Sequence, residues 1–168
     1  MQLEEAKLKY IQTWGSLATH WGINKTMAQV HALLLVSVKP LSSDEIMEIL
    51  KISRGNVNMN VRALIDWGIV TKVLVPGERK EYFESGKDIW ELFKQVTKER
   101  KKREIEPVIK VLKELKGEVA EDSEEAESFR VLMGDLVHVT ETVNGLLDKA
   151  IRADEHWLLS NVTKLLKK

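Results

Sequence analysis

The side chains most suited to specific binding or chemistry lie between positions 53 and 62. This stretch combines hydroxyl, amide and guanidinium groups with one glycine and one methionine: Ser53, Arg54, Gly55, Asn56, Asn58, Met59, Asn60 and Arg62. Asn, Arg and Ser side chains hydrogen-bond base edges and phosphates. A glycine lets two backbones approach closely. We therefore predict that these residues contact DNA.

A helix from Arg54 to Trp67 would position these groups. Apolar residues recur along it at i, i+4, i+7 and i+8 and are predicted to face the core: Val57, Val61, Leu64 and Ile65. The opposite side then holds Gly55, Asn56, Met59 and Ala63, with Asn58, Asn60 and Arg62 on its flanks. A solvent-facing helix normally carries Glu and Lys pairs there. Asparagines scattered by chance on a solvated face are the alternative interpretation.

The segments around this helix predict a winged helix-turn-helix. Ser42 and Glu45 form a capping-box pattern that starts a short helix, predicted to bury Ile46, Ile49 and Leu50. Ser53 is placed to cap the next helix. An apolar strand over 69–75, the Pro76-Gly77 turn and a second strand over 80–84 then make a hairpin.

Two basic residues near the tip of this hairpin, Arg79 and Lys80, could meet a phosphate or the minor groove. An ordinary solvated turn is the alternative for the tip alone. The order of helix, turn, helix and hairpin places the second helix in a major groove and the hairpin against the neighbouring backbone.

The rest of the chain reads as helical. Two helices are predicted over 4–19 and 24–38, a long helix opens at Asp88, and a final one covers 155–166. Between them, apolar residues follow a heptad pattern that favours packing against another helix: Phe129, Leu132, Leu136, Val139, Val143, Leu146 and Ala150. The predicted fold is mainly α with a small β-hairpin wing. Residues 1–87 are expected to form the winged helix-turn-helix with its N-terminal helices, and residues 88–168 a long helical dimerisation arm.

The charges are segregated although they balance over the whole chain. Residues 51–103 carry 13 Lys and Arg against 7 Asp and Glu, whereas residues 104–168 carry 9 against 14. The basic middle segment includes the helix predicted over 54–67, called the reader helix below, and its charge suits contact with phosphates. An acidic tail should point away from DNA. Chance segregation is the alternative.

Composition excludes several classes of protein. The chain has no cysteine, so disulfides, thiolate nucleophiles and sulfur-based zinc sites are ruled out. The longest apolar stretch, residues 30–38, is shorter than the ~20 residues that cross a bilayer, and the first residues do not resemble a secretory signal. We expect a cytoplasmic protein with no membrane partner.

No enzyme signature is found. His138 and Glu141 lie at i and i+3, as in half of a bundle metal site, but no second ligand set accompanies them. The other histidines, His20, His31 and His156, are scattered, and no Gly-rich phosphate loop or nucleophile motif occurs. We expect no catalysis, no metal and no cofactor.

Two segments, Ser53 to Val70 and Pro76 to Phe83, resemble the reader helix and wing of the GbsR-type branch of the MarR-like winged-helix regulators. The resemblance implies a homodimeric transcription factor on an inverted-repeat operator of double-stranded DNA, with an affinity adjusted by a small molecule. It also implies helix contacts by Ser53, Arg54, Asn56 and Asn60 and wing contacts by Arg79 and Lys80. Asn58 stands where a serine is usual, so the operator sequence is not carried over.

Some members of that branch respond to choline or glycine betaine, and a quaternary ammonium requires a cage of aromatic faces. Rings are available at Tyr10, Trp14, Trp21, Trp67 and Trp90. An aromatic stripe at helical spacing is more often core or dimer interface. A further alternative for the whole chain is a winged-helix protein interaction scaffold without specific DNA binding.

Overall fold

Residues 1–153 are the part of the chain that the computed structural model describes. They form, in order, α1 (Leu3–His20), α2 (Lys25–Val36), β1 (Leu41–Ser42), α3 (Ser43–Leu50), α4 (Arg54–Asp66), β2 (Val70–Val73), β3 (Tyr82–Ser85), α5 (Ile89–Arg100), a π-helical segment (Lys101–Ile105), α6 (Glu106–Glu118) and α7 (Glu124–Arg152). The predicted class, mainly α with a small β wing, is confirmed. The helix predicted over 155–166 and His156 lie outside the described residues. Contacts separate Met1–Leu92 from the residues that follow.

Helices α1 and α2 pack through small residues. Ile11, Gly15 and Ala18 are the buried residues of α1. A Cβ atom on Gly15 would lie 2.5 Å from the Gln29 side chain and 3.2 Å from the Lys25 carbonyl oxygen. The two backbones therefore come as close as they do because position 15 has no side chain.

Both ends of α2 are capped by side chains. Asn24 Oδ1 accepts a hydrogen bond from the Met27 amide at 3.0 Å. The helix ends at Val36, two residues before the predicted end at position 38, and Val38 is 98% exposed. Lys87 Nζ donates to three carbonyl oxygens at this end, at 2.7 to 2.8 Å. The ammonium group satisfies carbonyls that the helix itself leaves unpaired.

Helix α3 begins with the predicted capping box. The Ser42 amide donates to Glu45 Oε2 at 2.8 Å, and the Glu45 amide donates to Ser42 Oγ at 3.3 Å. The turn into α4 passes through Lys51, whose φ of 54° lies in the left-handed region. Ile46 is fully buried, but Ile49 is 40% exposed, so its predicted burial was wrong.

The strands form one antiparallel sheet in the order β1-β3-β2. The wing hairpin pairs Val73 with Tyr82, and the short β1, which was not predicted, pairs Leu41 with Phe83. At the base of the hairpin, Ser85 Oγ lies 3.1 Å from His31 Nε2. The sheet is thereby joined to α2, and the wing projects from a fixed base.

The second unit consists mainly of α6 packed along α7. Helix α5 continues through the π-helical segment into α6, which has Pro107 in its first turn. Lys101 Nζ lies 3.2 Å from Glu106 and 2.9 Å from Asp148 of α7. Within residues 1–153, no helix combines the length and apolar character needed to cross a membrane.

Candidate nucleic-acid interface

Helix α4 turns one side inward and leaves the other accessible. Three of its four predicted core residues, Val57, Val61 and Leu64, are at most 2% exposed, whereas Ile65 is 37% exposed and lies outside the core. The accessible side carries six of the predicted contact residues: Ser53, Arg54, Gly55, Asn58, Met59 and Arg62. Ser53 caps the start of the helix, because its Oγ accepts a hydrogen bond from the Asn56 backbone amide at 3.3 Å.

Asn56 and Asn60 play different parts. Asn60 is only 3% exposed, so its predicted position on an accessible flank was wrong. Its Nδ2 donates to both the backbone oxygen and Oδ1 of Asn56, each at 2.8 Å. Asn56 is half-buried, and the second of these bonds engages its side-chain oxygen Oδ1. The side-chain nitrogen Nδ2 of Asn56 is therefore the group of this residue that can donate a hydrogen bond to a ligand.

The wing carries its basic residues at the return side of the hairpin. Its tip turns at Gly77, where φ is +85°. Arg79 and Lys80, the two predicted wing contacts, are both exposed. Leu74, which was predicted to continue the strand, lies beyond β2 and is 84% exposed.

An acidic residue that the sequence analysis did not select joins the helix to the wing. Asp44, in the first turn of α3, forms an ion pair with Arg54 through Oδ1 and with Lys80 through Oδ2, the latter at 3.0 Å. Lys80 and Arg54 hold the pKa of the Asp44 carboxyl below its usual value, and Asp44 raises the pKa of Lys80. These ion pairs join residues that are distant in the sequence, so helix or strand periodicity could not have predicted them.

A cleft of about 230 Å³ opens between these elements. Its lining includes Asp44 and three predicted contact residues: Arg54, Asn58 and Lys80. Glu81 also lines the cleft but is ion-paired with Lys72. The fold therefore brings the predicted helix and wing contacts to one concave surface.

Three of the five predicted ligand-binding rings form a cluster on α1. The ring centres of Tyr10 and Trp14 are 5.8 Å apart, and those of Trp14 and Trp21 are 6.5 Å apart with their planes at 83°. Trp21 is 56% exposed, and burial raises the pKa of Tyr10. Trp67 caps the end of α4 and Trp90 lies in α5, so both belong to other elements.

One of the two residues considered for a metal site has a different partner. Glu141 is ion-paired with Lys113, and its Oε1 lies 2.6 Å from Lys113 Nζ. Among residues 1–153, no group of three or more His, Cys, Asp or Glu side chains is arranged to hold a metal ion.

Comparison with known proteins agrees with this geometry. Residues 21–81 match the model of the MarR family. The "Putative HTH-type transcriptional regulator YvaV" of Bacillus subtilis (strain 168) is 25% identical over 91 residues, which make up 54% of this chain and 51% of the relative. The chain thus spans about half the length of this curated relative.

A solved structure described as that of a transcriptional regulator superposes with a TM-score of 0.57 at 18% identity, over 86% of this chain and 99% of the other. At this identity the likeness establishes the fold. Both matched proteins are described as regulators, which agrees with the expectation that the chain is not an enzyme. In the order of its helices and wing, and in the match over residues 21–81, the chain is similar to the winged helix-turn-helix proteins of the MarR family.

Proposed function

We propose that this chain is a sequence-specific DNA-binding transcriptional regulator of the GbsR-type branch. It acts in the cytoplasm as a homodimer on a palindromic operator. The observation that carries the proposal is the accessible side of α4, which is polar, carries no acidic side chain from 53 to 62 and lines a cleft together with Lys80 of the wing. A scaffold for other proteins has no use for a Ser, Asn and Arg surface of this kind.

The reader helix would lie in the major groove with its N-terminal half against the base edges. Asn58 and Arg62 are exposed and can bond to bases, and Met59 can make apolar contacts there. Asn56 would donate through Nδ2 to an acceptor such as a purine N7, because Asn60 engages its oxygen. Asn60 itself acts as a positioning residue. Arg79 would reach the backbone or the minor groove beside the wing.

The second unit supports the homodimer. Helix α7 packs against α6 with one side and presents a second apolar side at heptad spacing, with these exposed fractions: Leu132 54%, Leu136 40%, Val139 59%, Val143 41% and Leu146 59%. A stripe of this kind is buried when two helices pair. We propose that residues 88–168 are the dimerisation arm. Two reader helices would then be set about 34–36 Å apart, one turn of DNA.

Ligand control is proposed from the ring cluster on α1. Trp14 and Trp21 present nearly perpendicular planes, an arrangement that can enclose part of a quaternary ammonium such as choline or betaine. A ligand there would change DNA affinity only if it binds the two arrangements of the dimer unequally. Packing between protomers is the competing role for these rings.

Selection of bound fragments from random or genomic duplex DNA tests the proposal. We expect a palindromic consensus. The double variant Asn58→Ala with Arg62→Ala should lose at least about tenfold in affinity for that fragment, since each base contact contributes about 1–3 kcal/mol. The matched control is Lys9→Ala with Gln12→Ala, which removes the same kinds of side chain from the exposed side of α1.

The outcome also separates the two functions considered. Recovery of no consensus, or equal affinity of both double variants and the unaltered protein, would favour the interaction scaffold. Circular dichroism of each variant ensures that a loss of binding does not reflect unfolding.

A further inference from the structure

The cations of α4 and of the wing converge on one carboxylate. Asp44 gives one oxygen to Arg54 and the other to Lys80. A DNA phosphodiester also offers two non-bridging oxygens and one negative charge. The carboxylate therefore satisfies these two side chains in the way that a backbone phosphate would.

We propose that Arg54 and Lys80 form a single anion site, which Asp44 occupies in the free protein and a DNA backbone phosphate occupies in the complex. This inference rests on the DNA-binding function proposed above. It assigns both cations to the same phosphate and makes Asp44 an internal competitor of DNA.

The exposure of the three side chains makes the exchange feasible. Their exposed fractions are 42% for Asp44, 65% for Arg54 and 58% for Lys80. Ion pairs this exposed contribute little to stability, and their partners exchange readily. The open cleft of about 230 Å³ gives an incoming phosphate access to both cations.

The other acidic group of the cleft does not compete in the same way. Glu81 is engaged by Lys72, which is not one of the two cations of the proposed site, whereas Asp44 is paired with both of those cations. A phosphate that enters must displace this carboxylate or remain beside a like charge. Either event lowers the affinity for DNA and reduces the number of counterions released.

Removal of the charge at position 44 tests the exchange. Asp44→Asn keeps the shape of the side chain, and Asp66→Asn at the far end of α4 is the control, since it changes net charge equally. Each protein is titrated with duplex DNA over a range of sodium chloride concentrations. We expect Asp44→Asn to bind about three- to tenfold tighter at low salt, with a steeper salt dependence, because two exposed ion pairs no longer oppose binding.

Addition of Lys80→Gln to Asp44→Asn should abolish most of the gain in DNA affinity, because one of the two cations is then missing. Lys80→Gln added to Asp66→Asn should only weaken binding relative to Asp66→Asn alone. Replacement of chloride by inorganic phosphate at equal ionic strength should leave the curves unchanged. Binding of inorganic phosphate that is lost in Lys80→Gln, with an unchanged DNA affinity of that variant, would assign the site to a free anion rather than to DNA.

Equal or weaker binding by Asp44→Asn, with the unaltered protein binding DNA, would overturn the exchange and make Asp44 a residue that positions the cations. If the unaltered protein showed no salt-dependent binding, the proposed function itself would fail. Thermal melting of each variant confirms that it is folded.

Discussion

His31 is a buried base that the fold keeps uncharged. It is 8% exposed, and its Nε2 lies 3.1 Å from Ser85 Oγ at the base of the wing. Burial, with a smaller contribution from the charge on Lys87, lowers the pKa of His31 from 6.5 to about 4. Because the unfolded chain binds this proton more readily, folding should become less favourable as the pH falls below 6.5.

We expect the free energy of unfolding to drop by about 2 kcal/mol from His31 alone between pH 7 and pH 5. The variant His31→Gln cannot titrate and should show a correspondingly smaller drop, whatever its stability at pH 7. His20→Gln, at an exposed position of α1, is the control. Urea unfolding at both pH values measures the difference. An identical pH dependence in His31→Gln and in the unaltered protein would contradict the account.

Residue types were more predictable than residue surroundings. The polar set from 53 to 62 was evident from composition, and the caps at Ser42 and Ser53 followed from local pattern. The burial of Asn60 was missed because helical periodicity ranks positions only by angle, and one amide can turn inward to bond its neighbour. The role of Asp44 depends on contacts between distant segments, which spacing does not encode.

Among the elements, α7 is unusual because two of its sides are apolar. Ala126 and Met133 are buried, whereas the heptad stripe beginning at Leu132 is exposed. A helix that is apolar on both sides normally packs on both. We propose that α7 of another copy covers the second side, because its apolar residues keep heptad spacing.

Val139→Glu should shift the protein from dimer to monomer, raising the dimer dissociation constant at least about tenfold, because a carboxylate would lose its hydration in the interface. His138→Glu is the control, since position 138 is also exposed but is turned about 100° away from the stripe. Sedimentation over a range of concentrations measures both. A monomeric unaltered protein, or equal dissociation constants for the two variants, would contradict the dimer.

The periodicity of the sequence located helices better than their buried sides. In α1 the conspicuous apolar stripe was aromatic, at Tyr10, Trp14, Leu17 and Trp21, yet the buried stripe lies one residue further on, at Ile11, Gly15 and Ala18. Small residues lie on the buried side because α2 approaches α1 closely there. This is a tertiary effect that the hydrophobicity of the sequence does not reveal. Strand β1 escaped notice because it has two residues and exists only through its pairing with β3.

For the molecule as a whole, basic and acidic residues are segregated along the sequence. The basic excess falls in residues 51–103, which include α4 and the wing, and the acidic excess falls in residues 104–168. This division could be predicted from the chain alone. The convergence of α4, α3 and the wing on one cleft could not, because it is a property of the folded unit.

Site-directed cross-linking tests most directly whether the accessible side of α4 lies against DNA. The chain contains no cysteine, so Met59→Cys introduces a unique thiol at a position that is 60% exposed. Labelled with a photoreactive group, this variant should cross-link to bases within the selected fragment, and Gln12→Cys on α1 should give little product. Cross-linking from position 59 no stronger than from position 12, on a fragment that the protein demonstrably binds, would contradict the central claim.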